Sequence, residues 1–133
     1  MHIEELREHC LSVKGSSESF PFTKFARGAE NILAFKIMEK MFAYVDIYPS
    51  DGRFLIWMKC DPCCSAQLCK QYDGIVISPR SPDGKWIGVE LESDVPDTQV
   101  RELILRSAEE VVKGLSRKKQ EEYRRLLSHT SEG

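Results

Sequence analysis

ILAFKIMEKMFAYVDIYPSDGRFLIWMKC (residues 32–60) decides the fold. Three runs, ILAFKIM (32–38), MFAYVDI (41–47) and RFLIWMKC (53–60), are rich in β-branched and aromatic residues. Such side chains pack well on a pleated surface, so each run reads as a strand. The pieces between them are too short for anything but reversals. Glu39-Lys40 is a two-residue link, and Tyr48-Pro49-Ser50-Asp51-Gly52 closes on Asp-Gly, a pair that tolerates left-handed backbone. Three consecutive antiparallel strands follow. Leu33, Phe35 and Ile37 alternate with Ala34, Lys36 and Met38, so one face should be drier than the other. Lys36, Asp46 and Lys59 then mark exposed or rim positions.

Directly after the third strand comes KCDPCCSAQLCKQY (59–72), with four of the five cysteines of the chain. Structural zinc takes four tetrahedral ligands, commonly as two Cys-x-x-Cys pairs from separate segments. Cys60-x-x-Cys63 is one pair, and no second pair exists elsewhere. His9, Cys10 and His129 could complete a site only through tertiary contact. A helix over 61–72 accounts for more of the stretch. Asp61 is a good N-cap, Pro62 suits the first helical position, and Ser65, Leu68 and Tyr72 fall on one face. No metal or cofactor is expected. Cys63 and Cys64 remain candidate reactive thiols, because a helix N-terminus favours thiolate.

Outward from this centre, Ile3, Leu6, Cys10 and Val13 recur at helical spacing until Gly15 and the serines after it. FPF (20–22) begins an extended segment, and FTKFARGAEN (22–31) reads as a loop or short irregular strand. On the other side, IVIS (75–78), the polar link RSPDGK (80–85) and WIGVEL (86–91) make a second hairpin. Asp94 and Asp97 flank Pro96 and open the last helix. Its apolar stripe runs through Val100, Leu103, Ile104, Ala108, Val111, Val112 and Leu115. Gly114 is a break, Ser116 a new cap, and SRKKQEEYRRLL a charged extension laced with intrahelical ion pairs. The order is helix, three strands, helix, two strands, helix. This is α+β with an antiparallel sheet, in one domain over 1–128 with a disordered tail over 129–133.

The whole composition sets limits. The chain has 133 residues, 41% hydrophobic and 30% charged, with net charge −2. Its pI of about 5.9 gives no global basic field for nucleic acid, though a local patch can still bind phosphate. The N-terminus lacks the basic start and apolar run of a signal peptide, and no apolar stretch approaches the ~18 residues of a membrane span. An odd, clustered set of cysteines favours a reduced, cytoplasmic setting.

Several pieces together resemble a known group. IEELREHCLS with Gly15, ESFPF (18–22), AFKIMEKMFAYVDI (34–47), MKCDP (58–62), Leu68, Tyr72, Gly74, Trp86 with Val89, and DVPD (94–97) appear in the order and spacing of the MmcQ/YjbR family. The family comprises small bacterial proteins of largely unassigned function, and the competence-regulator TfoX N-terminal domains resemble it distantly. The resemblance implies a secretion-chaperone-like fold with helices on a curved antiparallel sheet. It also implies a double-wing shape suggestive of DNA binding, a link by name to mitomycin resistance, and no class-wide enzymatic activity. The chain departs from the family at Lys85, where histidine commonly precedes the tryptophan. Ile87 and Gly88 replace a polar pair, and Lys14 replaces a proline.

No Gly-rich phosphate loop, metalloprotease helix or nucleophile elbow is present, and the histidines lie near the termini. The expectation is a non-enzymatic binding module, monomeric or weakly dimeric, with no membrane association. The leading surface is nucleic-acid binding through the hairpins, by Lys36, Lys40, Lys59, Arg80, Lys85 and Trp86. The alternative is a protein-interaction or chaperone-like use of the sheet, with thiol or metal chemistry third. Trp86 reads either as a stacking platform or, preferentially, as a strand residue anchoring the sheet against a helix.

Overall fold

The computed structural model describes residues 1–20, 31–49 and 51–131. The elements run α1 (Ile3–Leu11), β1 (Ser16–Ser19), β2 (Ile32–Ile37), β3 (Lys40–Asp46), β4 (Leu55–Lys59) and α2 (Pro62–Gln71). Then follow β5 (Ile75–Ile77), β6 (Trp86–Glu90), α3 (Asp97–Lys113) and α4 (Arg117–Ser131). The α+β class and the antiparallel sheet are as the sequence indicates, and the strand order is β1-β2-β3-β4-β6-β5. One element extends the expected order: Ser16–Ser19 is an edge strand paired with β2. The expected break at Gly114 divides the final helix in two, with Ser116 capping the second. α4 reaches Ser131, past the expected boundary at 128. The expected extended run and loop fall on residues 21–30, which lie outside the described residues apart from Phe20 and Asn31.

β1 has the sequence SSES, with no apolar residue to suggest a strand. It is held instead by its ladder to β2, from Ser16 opposite Ile37 to Ser19 opposite Ala34. A forked ion pair from Arg7 of α1 to the Glu18 carboxylate adds a second tie, and holds that carboxyl below its usual range. The β2–β3 reversal is one residue earlier than expected. Met38 and Glu39 both have positive φ (50° and 67°), as a two-residue hairpin turn of matching twist requires.

One face of the sheet carries the core. Leu33, Phe35, Ile37, Val45, Ile56, Met58, Ile87 and Val89 are buried, and α3 covers them with Val100, Leu103, Ile104, Ala108 and Val111. Each of these side chains larger than alanine contributes roughly 1.5–3 kcal/mol by leaving water. The alternation slips once. Between Phe35–Lys36 and its partner strand the register jumps, so that Phe35 opposes Ala43 but Lys36 opposes Met41. Phe42 is the extra residue, fully buried beside Phe35 at a centroid separation of 6.5 Å. The Phe42 carbonyl accepts a hydrogen bond from Ser107 Oγ on α3 at 2.5 Å. Ser107, absent from the expected apolar stripe, is itself fully buried.

Helix α4 docks through Tyr123, whose hydroxyl donates to the Lys14 carbonyl at 2.7 Å, and whose ring lies where a Cβ on Gly15 would sit. Among the described residues no helix is long and apolar enough to cross a membrane.

Two substitutions test this account. Ser107→Ala should strand a buried carbonyl and cost about 1–3 kcal/mol in urea unfolding. Glu39→Gly should relieve a left-handed exposed turn residue and raise stability by roughly 0.5–1 kcal/mol on the same measurement.

Candidate functional site

Directly opposed residues of an antiparallel pair share a face, so the register fixes what the second face carries. One row reads Ala34, Tyr44, Trp57, Gly88, Val76 across β2, β3, β4, β6 and β5. Lys36 opposes Met41 and Lys59 opposes Trp86 on one side of that row, and Ile32 opposes Asp46 on the other. The slip at Phe42 matters here. It puts Met41 and Tyr44, three residues apart, on the same face.

This face turns away from α3. Tyr44, Trp57 and Trp86 are each half-buried, and Tyr44 meets Trp86 at 5.7 Å between centroids. Trp57 lies across β6 at Gly88, where a Cβ would come within 2.6 Å of the indole. No other residue type fits there without moving the ring. The sheet curls enough for Ile32 on β2 and the Ser78–Ser81 segment after β5 to line the same two clefts. One, of about 310 Å³, is lined by Tyr44, Asp46, Trp57, Pro79 and Arg80 among others. Its neighbour, of about 290 Å³, adds Met41 and Trp86. Burial raises the Tyr44 phenol, and the Arg80 guanidinium opposes that shift.

The expected basic set divides. Lys36, Lys59 and Arg80 border the aromatic face and form no ion pair with another described residue. Lys40 opposes Ile37 at the hairpin end, on the side of the helices. Lys85 is exposed and sits 3.6 Å from Asp83, its partner in the tight link before β6. Trp86 is not an anchor beneath a helix; it stands on the open face. Tyr44 lies outside the expected set; Asp46, expected at an exposed or rim position, and Trp57, whose sequence context suits either core or a sheet-face platform, join it here. The clue for Trp57 was Gly88 in an otherwise bulky strand, which marks close approach by another group.

The cysteines are arranged as a helix start. Asp61 caps α2 by accepting from the Cys63 N–H at 2.9 Å, and Pro62 follows. Ser65 and Leu68 are buried, and Gly84 packs on Ser65. Cys63 and Cys64 are exposed. The Asp61 carboxylate, however, raises the Cys63 thiol, opposite in sign to the helix-terminus effect expected from sequence. Burial pushes Cys60 up to about 11 and Cys10 up to about 12. Among the described residues no three His, Cys, Asp or Glu side chains come together in a metal-holding group.

A model of the family described as YjbR matches residues 11–107, most of the chain. The chain belongs to the YjbR family. The crystal structure of Deinococcus radiodurans protein DR2400, whose domain is described as DUF419, superposes with a TM-score of 0.75 at 27% identity. The similarity covers 91% of this chain and 86% of that one. A Pseudomonas syringae protein shares the fold at a TM-score of 0.66 and 18% identity, over 82% of this chain and 97% of its own. Among curated proteins no sequence match is found. For this YjbR chain, then, the relatives bring a fold and no assigned function.

The capping carboxylate gives a direct test of the thiol chemistry. Asp61→Asn keeps an acceptor at the N-cap while removing its charge. Alkylation of Cys63 by iodoacetamide near pH 8 should accelerate in that variant, with Cys64→Ser as background.

Proposed function

We propose that this YjbR-family protein is a non-catalytic module that binds single-stranded nucleic acid on the open face of its sheet. The observation that carries the reading is the grouping of Tyr44, Trp57 and Trp86 on one face with Lys36, Lys59 and Arg80 around them. Aromatic platforms hold unpaired bases by stacking, at about 1–3 kcal/mol per base, while unpaired cations track the phosphates. The net charge of −2 does not oppose this, because Lys36, Lys59 and Arg80 supply a local set of cations beside the aromatics. A curled sheet with a concave aromatic face suits a flexible strand better than a rigid duplex. The hairpins thus serve as walls of the surface, and the Lys40 and Lys85 tips contribute little.

A second reading is supported by the other edge. Val76 and Ile77 on the short edge strand β5 are 42% and 36% exposed, which suits a partner chain laid along that edge.

The test is anisotropy of a labelled dT12 oligonucleotide titrated with the protein at low salt. Saturable binding that weakens with salt is expected, with the duplex of the same length binding less well. Trp86→Ala should lower the affinity by about 1–3 kcal/mol, and Arg80→Ala should reduce the salt slope by about one. No binding at low salt, where phosphate contacts are strongest, would sink the proposal and leave the edge-strand reading.

A further inference from the structure

Among the described residues the open face of the strands holds two carboxylates, Glu90 and Asp46, and they are not alike. Glu90 is taken: Arg53 grips both of its oxygens at 2.8 Å and holds the carboxyl below its usual range. Asp46 lines the cleft of about 310 Å³ between Tyr44, Trp57 and Arg80. Its Oδ1 accepts the Tyr48 N–H at 2.9 Å, which fixes the direction of the side chain. Among the described residues Oδ2 has no partner, and Asp46 forms no ion pair. An anion beside a phosphate-binding surface costs affinity unless it meets a donor on the ligand. On a DNA strand the donor must be on the base, because phosphate and internal deoxyribose carry no hydrogen-bond donor.

The bases differ in what they offer a carboxylate. Guanine presents N1–H and the N2 amino group side by side, which matches two carboxylate oxygens. Adenine and cytosine each present one amino group on that edge, and thymine presents a single N3–H between two carbonyl oxygens that repel the anion. The cleft volume lies at the small-ligand end of the usual range, enough for one base stacked against Tyr44 or Trp57.

We infer that Asp46 makes this cleft a guanine-selective pocket within the single-strand surface, reading the N1–H and N2–H edge while Arg80 takes the adjoining phosphate. The inference rests on the single-strand reading of the same face.

Four dT12 oligonucleotides, carrying at one central position dG, deoxyinosine, dA or dT, are compared by competition on the unmodified protein. The dG strand should bind about tenfold tighter than the dT strand, in line with the discrimination given by a bidentate base contact. Deoxyinosine, which keeps N1–H but lacks the amino group, should fall between them. In Asp46→Asn the ratio of dG to dT affinity should collapse toward one. Equal affinity for all four strands would overturn the guanine pocket while leaving the single-strand surface standing. A dG preference that survives in folded Asp46→Asn would also overturn it. Failure of every strand to bind would overturn both readings.

Discussion

The hydrogen bond from Ser107 to the Phe42 carbonyl holds the structure at its least regular point. A strand alternates strictly, so β3 could not send Phe42 and Ala43 inward while keeping Met41 and Tyr44 outward without an extra residue. That extra residue frees a carbonyl inside the core, and a bare carbonyl there is costly. α3 supplies the donor at the place where its apolar stripe would otherwise continue. The same bond therefore seats the main helix on the sheet and decides which side chains reach the opposite face.

The separation of tasks follows from that geometry. The main core lies between the sheet and its helices, where Phe35, Ile56, Ile87 and Ile104 are closed to water. The aromatics of the other face are half-buried, and two of them, Trp57 and Trp86, are among the largest side chains in the chain.

Much of this was legible in the residues. The three strand runs, the Asp61-Pro62 start of α2 and the stripe of α3 all follow from local spacing, because each segment repeats its signal several times. β1 was not legible, since SSES gains its order from β2 and Arg7 rather than from its own side chains. Nor was the slip at Phe42, where the alternation of MFAYVD is broken by a contact sixty-five positions away along the chain. That slip turns Met41 outward and Phe42 inward, and it is why Lys40 entered the expected set from the wrong side. The cysteine cluster was read correctly as a helix start, but the electrostatics at Cys63 are set by the cap as well as by the helix. A backbone dipole and a full carboxylate at the same terminus pull in opposite directions, and the carboxylate is nearer.

The contact between Trp57 and Gly88 carries a lesson about divergence. Each position alone looks free to change, since one is a half-exposed aromatic and the other a residue without a side chain. Together they form a lock, because any Cβ at 88 occupies the space of the indole. Drift at the two sites is therefore coupled and ordered in time: the tryptophan must go before the glycine can. A lineage with a polar residue in place of Gly88 has to build a different surface on the same sheet, while the core beneath the helices keeps its packing.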